Sequence, residues 1–124
     1  MPQPVSAPNA PAAIGPYSQA VKSGSLVFVS GQLPLDPSTG EMPPDVKGQV
    51  ERSLSNIRSI LEAAGSSLSK VVRVGIFLTD LQDFQAANEV YGTFFKEPYP
   101  ARVTVEVSAL PRGAKVEIDA IAEA

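Results

Sequence analysis

From Pro100 to Val107 the chain alternates strictly. Val103, Val105 and Val107 fall on one side of a two-residue period, and Arg102, Thr104 and Glu106 on the other. That is the pattern of a strand with one apolar face, and Pro100 suits its first position, where no ladder donor is needed. The same reading extends along the chain. Met1 to Pro16 carries Pro2, Pro4, Pro8, Pro11 and Pro16, which predicts an extended arm with at most a short edge strand. Gly15-Pro16-Tyr17-Ser18 is a turn that presents Tyr17. Ala20 to Gly31 reads as two strands joined at Ser23-Gly24-Ser25, the second apolar on both faces until Ser30 and so covered on both sides.

Leu35 to Asp45 is a loop that ends in Asp45 as an N-cap. Val46, Val50, Leu54, Ile57, Leu61 and Ala64 then follow at helical spacing, with Gly65 as the stop. Val71 to Leu78 is a second two-sided apolar strand. Asp80 caps a further helix, with Asp83 at the capping-box position. The helix buries Phe84, Ala87, Tyr91 and Phe94, helped by Val90 and Phe95, and ends before Pro98. After the Arg102 strand, Leu110-Pro111-Arg112-Gly113 turns the chain into a last strand, Lys115 to Ala122. There Val116, Ile118 and Ala120 share one face, and Glu117, Asp119 and Ile121 the other.

The predicted order is β-β-α-β-α-β-β, an α+β two-layer domain spanning 1–124 with residues 1–12 as its proline-rich arm. Two helices cover one sheet face, yet two strands are apolar on both. The uncovered face is expected to meet another copy of the chain.

Composition narrows the chemistry. At 124 residues the chain is one domain, with 10 Lys plus Arg against 13 Asp plus Glu and a net charge of -3. The pI near 4.9 and the lack of a basic cluster argue against a nucleic-acid partner. There is no cysteine and no histidine, so no thiol nucleophile, no sulfur metal site and no imidazole base. No apolar run approaches a membrane span and no signal peptide is visible, which predicts a cytoplasmic protein.

Among the remaining groups, Arg102 offers a planar donor fork suited to a carboxylate or phosphate. With a short turn between the last two strands, Arg102 and Glu117 are expected on adjacent antiparallel strands, projecting from the same side. They read either as an exposed cross-strand salt bridge or as a ligand anchor beside an acid/base, and the pattern leaves both open. Ser30-Gly31 closes a buried strand where a hydroxyl and an open backbone could meet a ligand, or where the serine simply caps the strand. Asn88 is a helix-surface amide or a pocket group, and Tyr17 a packing aromatic or a pocket group. Without histidine, covalent serine catalysis is disfavoured.

The blocks Ala13-Ile14-Gly15-Pro16-Tyr17-Ser18-Gln19-Ala20, Val29-Ser30-Gly31-Gln32-Leu33-Pro34 and Pro100-Ala101-Arg102, followed by Val105-Glu106-Val107 and Val116-Glu117-Ile118, resemble the Rid (YjgF/RidA) family of reactive imine deaminases along nearly the whole chain. The resemblance implies a chorismate-mutase-like fold: a mixed sheet with two helices on one face, and a homotrimer whose sheets face a central barrel-like core, with sites at subunit interfaces. It implies hydrolysis of 2-imino acids derived from 2-aminoacrylate to 2-keto acids and ammonia, with no cofactor and no metal. By position it makes Arg102 the carboxylate-binding catalytic arginine and Glu117 the proton-handling glutamate, with Tyr17, Ser30, Gly31, Asn88 and Thr104 as the other pocket residues. Thr104 stands where some members carry cysteine. The arm is richer in proline than the family's usual first strand. A non-catalytic carboxylate-binding or chaperone-like module and a ribonuclease are the competing readings; the acidic pI and missing histidine weigh against the latter.

Overall fold

Proline decides where regular structure begins. In the computed structural model, which describes residues 2–124, strand β1 (Gln3–Val5) is three residues long and pairs at the sheet edge with β2 (Ala20–Ser23). An edge is where a strand containing Pro4 can sit, because one side needs no donor. β2 turns through Gly24, at φ 59, into β3 (Leu26–Gln32).

Helix α1 (Val46–Ala63) is bounded as its sequence predicts. The Asp45 side chain accepts from the Gly48 amide at 3.2 Å. At the other end Gly65, at φ 80, lets its own amide reach Glu62 O at 3.0 Å and that of Ser66 reach Leu61 O at 2.8 Å. This paired closure satisfies carbonyls that the helix leaves open. Strand β4 (Val71–Leu78) follows. Asp80 caps a short 3₁₀ turn, Leu81–Asp83, and not the helix itself, while Asp83 makes no capping bond. Helix α2 (Phe84–Phe94) buries Ala87 and Tyr91, with Phe95 just beyond its end. Phe84, predicted in the buried stripe, is 40% exposed at the first position of the helix.

The sheet runs β1-β2-β3-β6-β4-β5, where β5 is Ala101–Glu106 and β6 is Val116–Glu123. This corrects the expected β5–β6 hairpin. β5 pairs only with β4, in parallel, and β6 inserts between β3 and β4, antiparallel to both. The nine residues from Val107 to Lys115 exceed a hairpin loop and let the chain pass the end of β4; on the way the Val107 amide bonds Leu78 O at 2.8 Å. The α2 crossover sets β5 parallel to β4, and β6, apolar at every second position, takes the better-covered slot.

Both helices lie on one face, against Val27, Val74, Ile76, Leu78, Val116 and Ile118. From α1, Val50, Leu54, Ile57, Ile60 and Leu61 are fully enclosed; burying each such side chain contributes about 1.5–3 kcal/mol. The same helix also buries Gln49, Ser53 and Asn56, which a purely apolar stripe does not anticipate. Asn56 donates to Leu33 O at 3.2 Å and Leu35 O at 2.9 Å and accepts from Arg52. Gln49 donates to Pro43 O at 2.9 Å and accepts from the Lys115 amide at 2.8 Å. Two helix amides therefore pin the irregular 33–43 loop and the β5–β6 connection to the core.

The other sheet face carries Val21, Phe28, Phe77, Val103, Val105 and Ile121, with Arg73, Glu117 and Asp119 among them. Phe28, Val103 and Val105 are 39%, 37% and 38% exposed. This apolar surface has no helix over it.

Replacing Asn56 by Ala removes the side-chain donor to Leu35 O and one of the two donors to Leu33 O, which keeps the Leu35 amide at 2.8 Å, and we expect a loss of about 1–2 kcal/mol in chemical denaturation. A loss below about 0.5 kcal/mol would mean that water replaces the amide.

Candidate functional site

The sheet registers decide which side chains can meet. Arg102 pairs with Val74, whose side chain faces the helices, while Glu117 pairs with Phe77, on the open face. The two therefore project to opposite sides of one sheet. They are also two strand spacings and three residue steps apart, on the order of 14 Å between Cα atoms. This corrects the expectation that they neighbour each other on one face, and it removes the cross-strand salt bridge within a chain.

Each sits in its own cavity. Arg102 lines one of about 350 Å³ with Asn88, Tyr91, Gly92, Tyr99 and Pro100. Its guanidinium carbon lies 4.7 Å from the Tyr91 ring centre and 5.6 Å from that of Phe84, within the range of cation–π attraction. Tyr91 is in turn packed on Phe95, with ring centres 4.6 Å apart. The arginine thus lies over two aromatic rings, and it makes no ion pair within the chain among the described residues. Its fork is free for a planar anion. Burial pushes the Tyr91 hydroxyl pKa up, against a smaller opposing effect of Arg102.

Glu117 lines the second cavity, about 560 Å³, with Tyr17, Ser30, Gly31 and Arg112 among its walls. A β-bulge builds it. β3 and β6 are in register at Val29↔Ala120 and again at Gln32↔Ile118, so Ser30 and Gly31 face a single β6 residue. Such an extra residue bends the strand. The Glu117 carboxylate lies directly over Gly31, and a Cβ there would come within 2.8 Å of Oε2. Glycine lets the carboxylate lie against the strand, and any Cβ there would push it aside. Burial and the negative charge of Asp119, two residues along the same face, push the Glu117 carboxyl above its usual range.

The Ser30 hydroxyl donates to Ser18 O at 2.6 Å and its amide to Gln19 O at 2.9 Å, tying β3 to the Tyr17 turn. Tyr17 is 53% exposed, and its hydroxyl accepts from the Ile14 amide at 3.4 Å. Gln19 holds the arm behind this turn. It accepts from the Ala7 amide at 2.6 Å and donates to Ala7 O, Ala10 O and Pro11 O. Pro11 and Ile14 then form cavity wall.

Of the residues predicted from sequence, Arg102 and Asn88 come together in one cavity, and Tyr17, Ser30, Gly31 and Glu117 in the other. Thr104 lines neither; its hydroxyl is enclosed and has no hydrogen-bond partner. Tyr91 was readable only as a core aromatic, although its place three residues after Asn88 puts both on one helix face. Asp119 was readable from its spacing of two from Glu117. Among the described residues no group of three or more acidic side chains could hold a metal ion, and no helix is long and apolar enough to cross a membrane.

Known proteins share this arrangement of elements and sequence. The Endoribonuclease L-PSP family model matches residues 7–124. The RutC family protein y4sK of Sinorhizobium fredii is 55% identical over 120 residues, 96% of this chain and 95% of the relative. The 2-iminobutanoate/2-iminopropanoate deaminase of Escherichia coli is 49% identical over 117 residues, 92% of this chain and 91% of its own. The crystal structure of E. coli TdcF with bound serine superposes at a TM-score of 0.94 with 47% identity, covering 98% of each chain. A family match through both cavities, with relatives near half identical over nine-tenths of their length, makes this chain a member of the Endoribonuclease L-PSP family, the YjgF/Rid family of reactive intermediate deaminases.

Proposed function

We propose that this protein hydrolyses small 2-imino acids to 2-keto acids and ammonia, in sites shared between copies of the chain assembled as a homotrimer. The observation that carries the reading is the division of the polar groups between two cavities. The Arg102 cavity holds an unpaired anion receptor without a base, and the Glu117 cavity holds the base, with its one guanidinium, that of Arg112, tethered at the wall to Gly40 O. One chain cannot join them, whereas a second copy laid against the apolar sheet face brings one kind of cavity to the other. That face also requires cover on hydrophobic grounds. The deaminase relative supports the imine substrate, and the serine of TdcF carries the same α-carboxylate.

The chemistry needs neither metal nor covalent intermediate. Arg102 holds the α-carboxylate bidentate and fixes C2 of the imine in the joined cavity. Glu117 takes a proton from water as the water oxygen bonds to C2 of the protonated imine, whose C=N electron pair moves onto nitrogen to give a neutral carbinolamine. The same carboxyl returns that proton to nitrogen, and its carboxylate then takes the C2 hydroxyl proton as the C–N bond breaks, so that the ketone forms, ammonia leaves and the proton passes from Glu117 to solvent. A carboxyl with a raised pKa suits both halves of this cycle, because it is a stronger base and regains its proton nearer the working pH. The family model's description names an endoribonuclease, but a chain with no histidine and a net charge of -3 is poorly equipped for a polyanionic substrate.

The shared site has a direct test. Arg102→Lys and Glu117→Gln trimers should each be nearly inactive, since an ammonium cannot reproduce the fork and an amide cannot exchange the proton. Co-assembled in equal amounts, they should recover about a quarter of wild-type turnover, because random mixing joins two intact halves one time in four. No recovery in a verified mixed trimer would place both groups' action within one chain, and a monomer by light scattering would exclude the assembly.

Glu117→Gln alone distinguishes catalysis from binding. We expect pyruvate affinity by calorimetry to hold or rise, while imine turnover falls about 10²-fold or more. Normal turnover on a weakened fold would favour the binding-module reading.

The pH profile should follow the electrostatics. The carboxylate is the active base, so kcat/KM falls as pH drops through the raised Glu117 pKa. Asp119 is one of the two causes of that rise, so Asp119→Asn should move the acid limb to lower pH. A limb that stays in place or moves up would assign it to another group.

A further inference from the structure

One charge in the Glu117 cavity has no part in the reaction above. Arg112 lines that cavity with Glu117 and Tyr17, yet the two opposite charges are not paired. Among the described residues the ion pair present is Lys47–Glu89, and the Glu117 carboxyl is pushed up by burial and Asp119 with no cation lowering it. Arg112 hydrogen-bonds instead to Gly40 O at 3.3 Å, on the β3–α1 loop. A single bond anchors the guanidinium at the wall and leaves most of its donors unused.

The backbone of Arg112 adds an independent observation. It stands at φ 61, ψ 20, the left-handed region that a residue with a Cβ enters against a steric penalty. The turn is held there by Gly113 N to Leu110 O at 3.3 Å, Ala114 N to Pro111 O at 3.2 Å and Lys115 N to Gln49 Oε1 at 2.8 Å. Glycine would adopt this conformation freely. An arginine at a strained position on a cavity wall, tethered but not neutralised, points to a use for its charge. Room for a second anionic group exists: about 560 Å³ lies within the usual span of ligand pockets, roughly 300–1,000 Å³, and exceeds the needs of a three-carbon imino acid.

We propose that Arg112 is a specificity-determining residue that receives the distal carboxylate of four- and five-carbon 2-imino dicarboxylic acids, whose α-carboxylate is held by Arg102 of the neighbouring copy. The inference rests on the shared-site reading above. A dicarboxylate then meets two forks with its two charges, whereas a monocarboxylate leaves Arg112 in solvent.

The test compares 2-oxoglutarate with 2-ketobutyrate, as inhibitors of imine turnover and by calorimetry, on the intact assembly. Arg112→Gly removes the charge and keeps the left-handed backbone; Arg112→Lys keeps a charge without the fork. The ratio of 2-oxoglutarate to 2-ketobutyrate affinity should fall about tenfold in the Gly variant, the scale of one charge-assisted contact, and recover in part in the Lys variant. An unchanged ratio overturns the proposal, whether or not both ligands weaken, as does wild-type protein that does not bind 2-oxoglutarate. Arg102→Lys serves as the reference. If it weakens both ligands while Arg112→Gly leaves the ratio unchanged, only the distal contact is wrong. If it weakens neither, the shared site itself is wrong.

Discussion

The insertion of β6 between β3 and β4 is the constraint on which the rest depends. It gives the sheet a central strand whose inner positions are fully enclosed, and it turns Glu117 and Asp119 outward onto a face that no helix covers. It places Glu117 beside the β3 bulge, where Gly31 admits its carboxylate. It also leaves β5 at the edge, so that Arg102 faces α2 and stacks on Tyr91. A simple β5–β6 hairpin would have put the arginine and the glutamate side by side and let them neutralise each other. The crossover keeps both charges unpaired within the chain, which is the condition for either to act on a ligand.

Local structure was legible in the sequence where short-range physics decides it. Asp45 and Gly65 bound α1 because a capping carboxylate and a left-handed glycine act within one turn. The proline-rich arm became a short edge strand for a reason that needs no tertiary context. The pairing of β5 was not legible, because alternation specifies the faces of a strand but not its neighbour. Nor did it say which face of β5 the helices would cover; the valines turned out to face the open side. Asn56 and Gln49 were invisible for a related reason. Polar residues on a helix normally face water, and their burial follows from the carbonyls of a loop whose path is set by the whole fold. The candidate residues Tyr17, Ser30, Gly31, Arg102 and Glu117 fall in the blocks that carry the resemblance, whereas their division between two cavities depends on the sheet order.

The electrostatics of the two cavities differ in kind. Arg102 is stabilised by ring faces that attract its charge without using its donors, so recognition remains available. Glu117 is placed unfavourably as an anion, between burial and Asp119, so its proton is held more tightly than that of an ordinary carboxyl. One cavity thus keeps a charge ready, and the other a carboxylate that takes up a proton more readily than an ordinary one.

The clamp made by Gln19 has a consequence for how such a protein can change. Its four contacts go to main-chain groups of Ala7, Ala10 and Pro11, and none depends on which side chains the arm carries. The arm can therefore exchange residues such as Ile14, 83% exposed and lining the Glu117 cavity, while remaining in place. Attachment and lining are separate properties of this segment, so the cavity wall is open to drift or redesign without renegotiating the core.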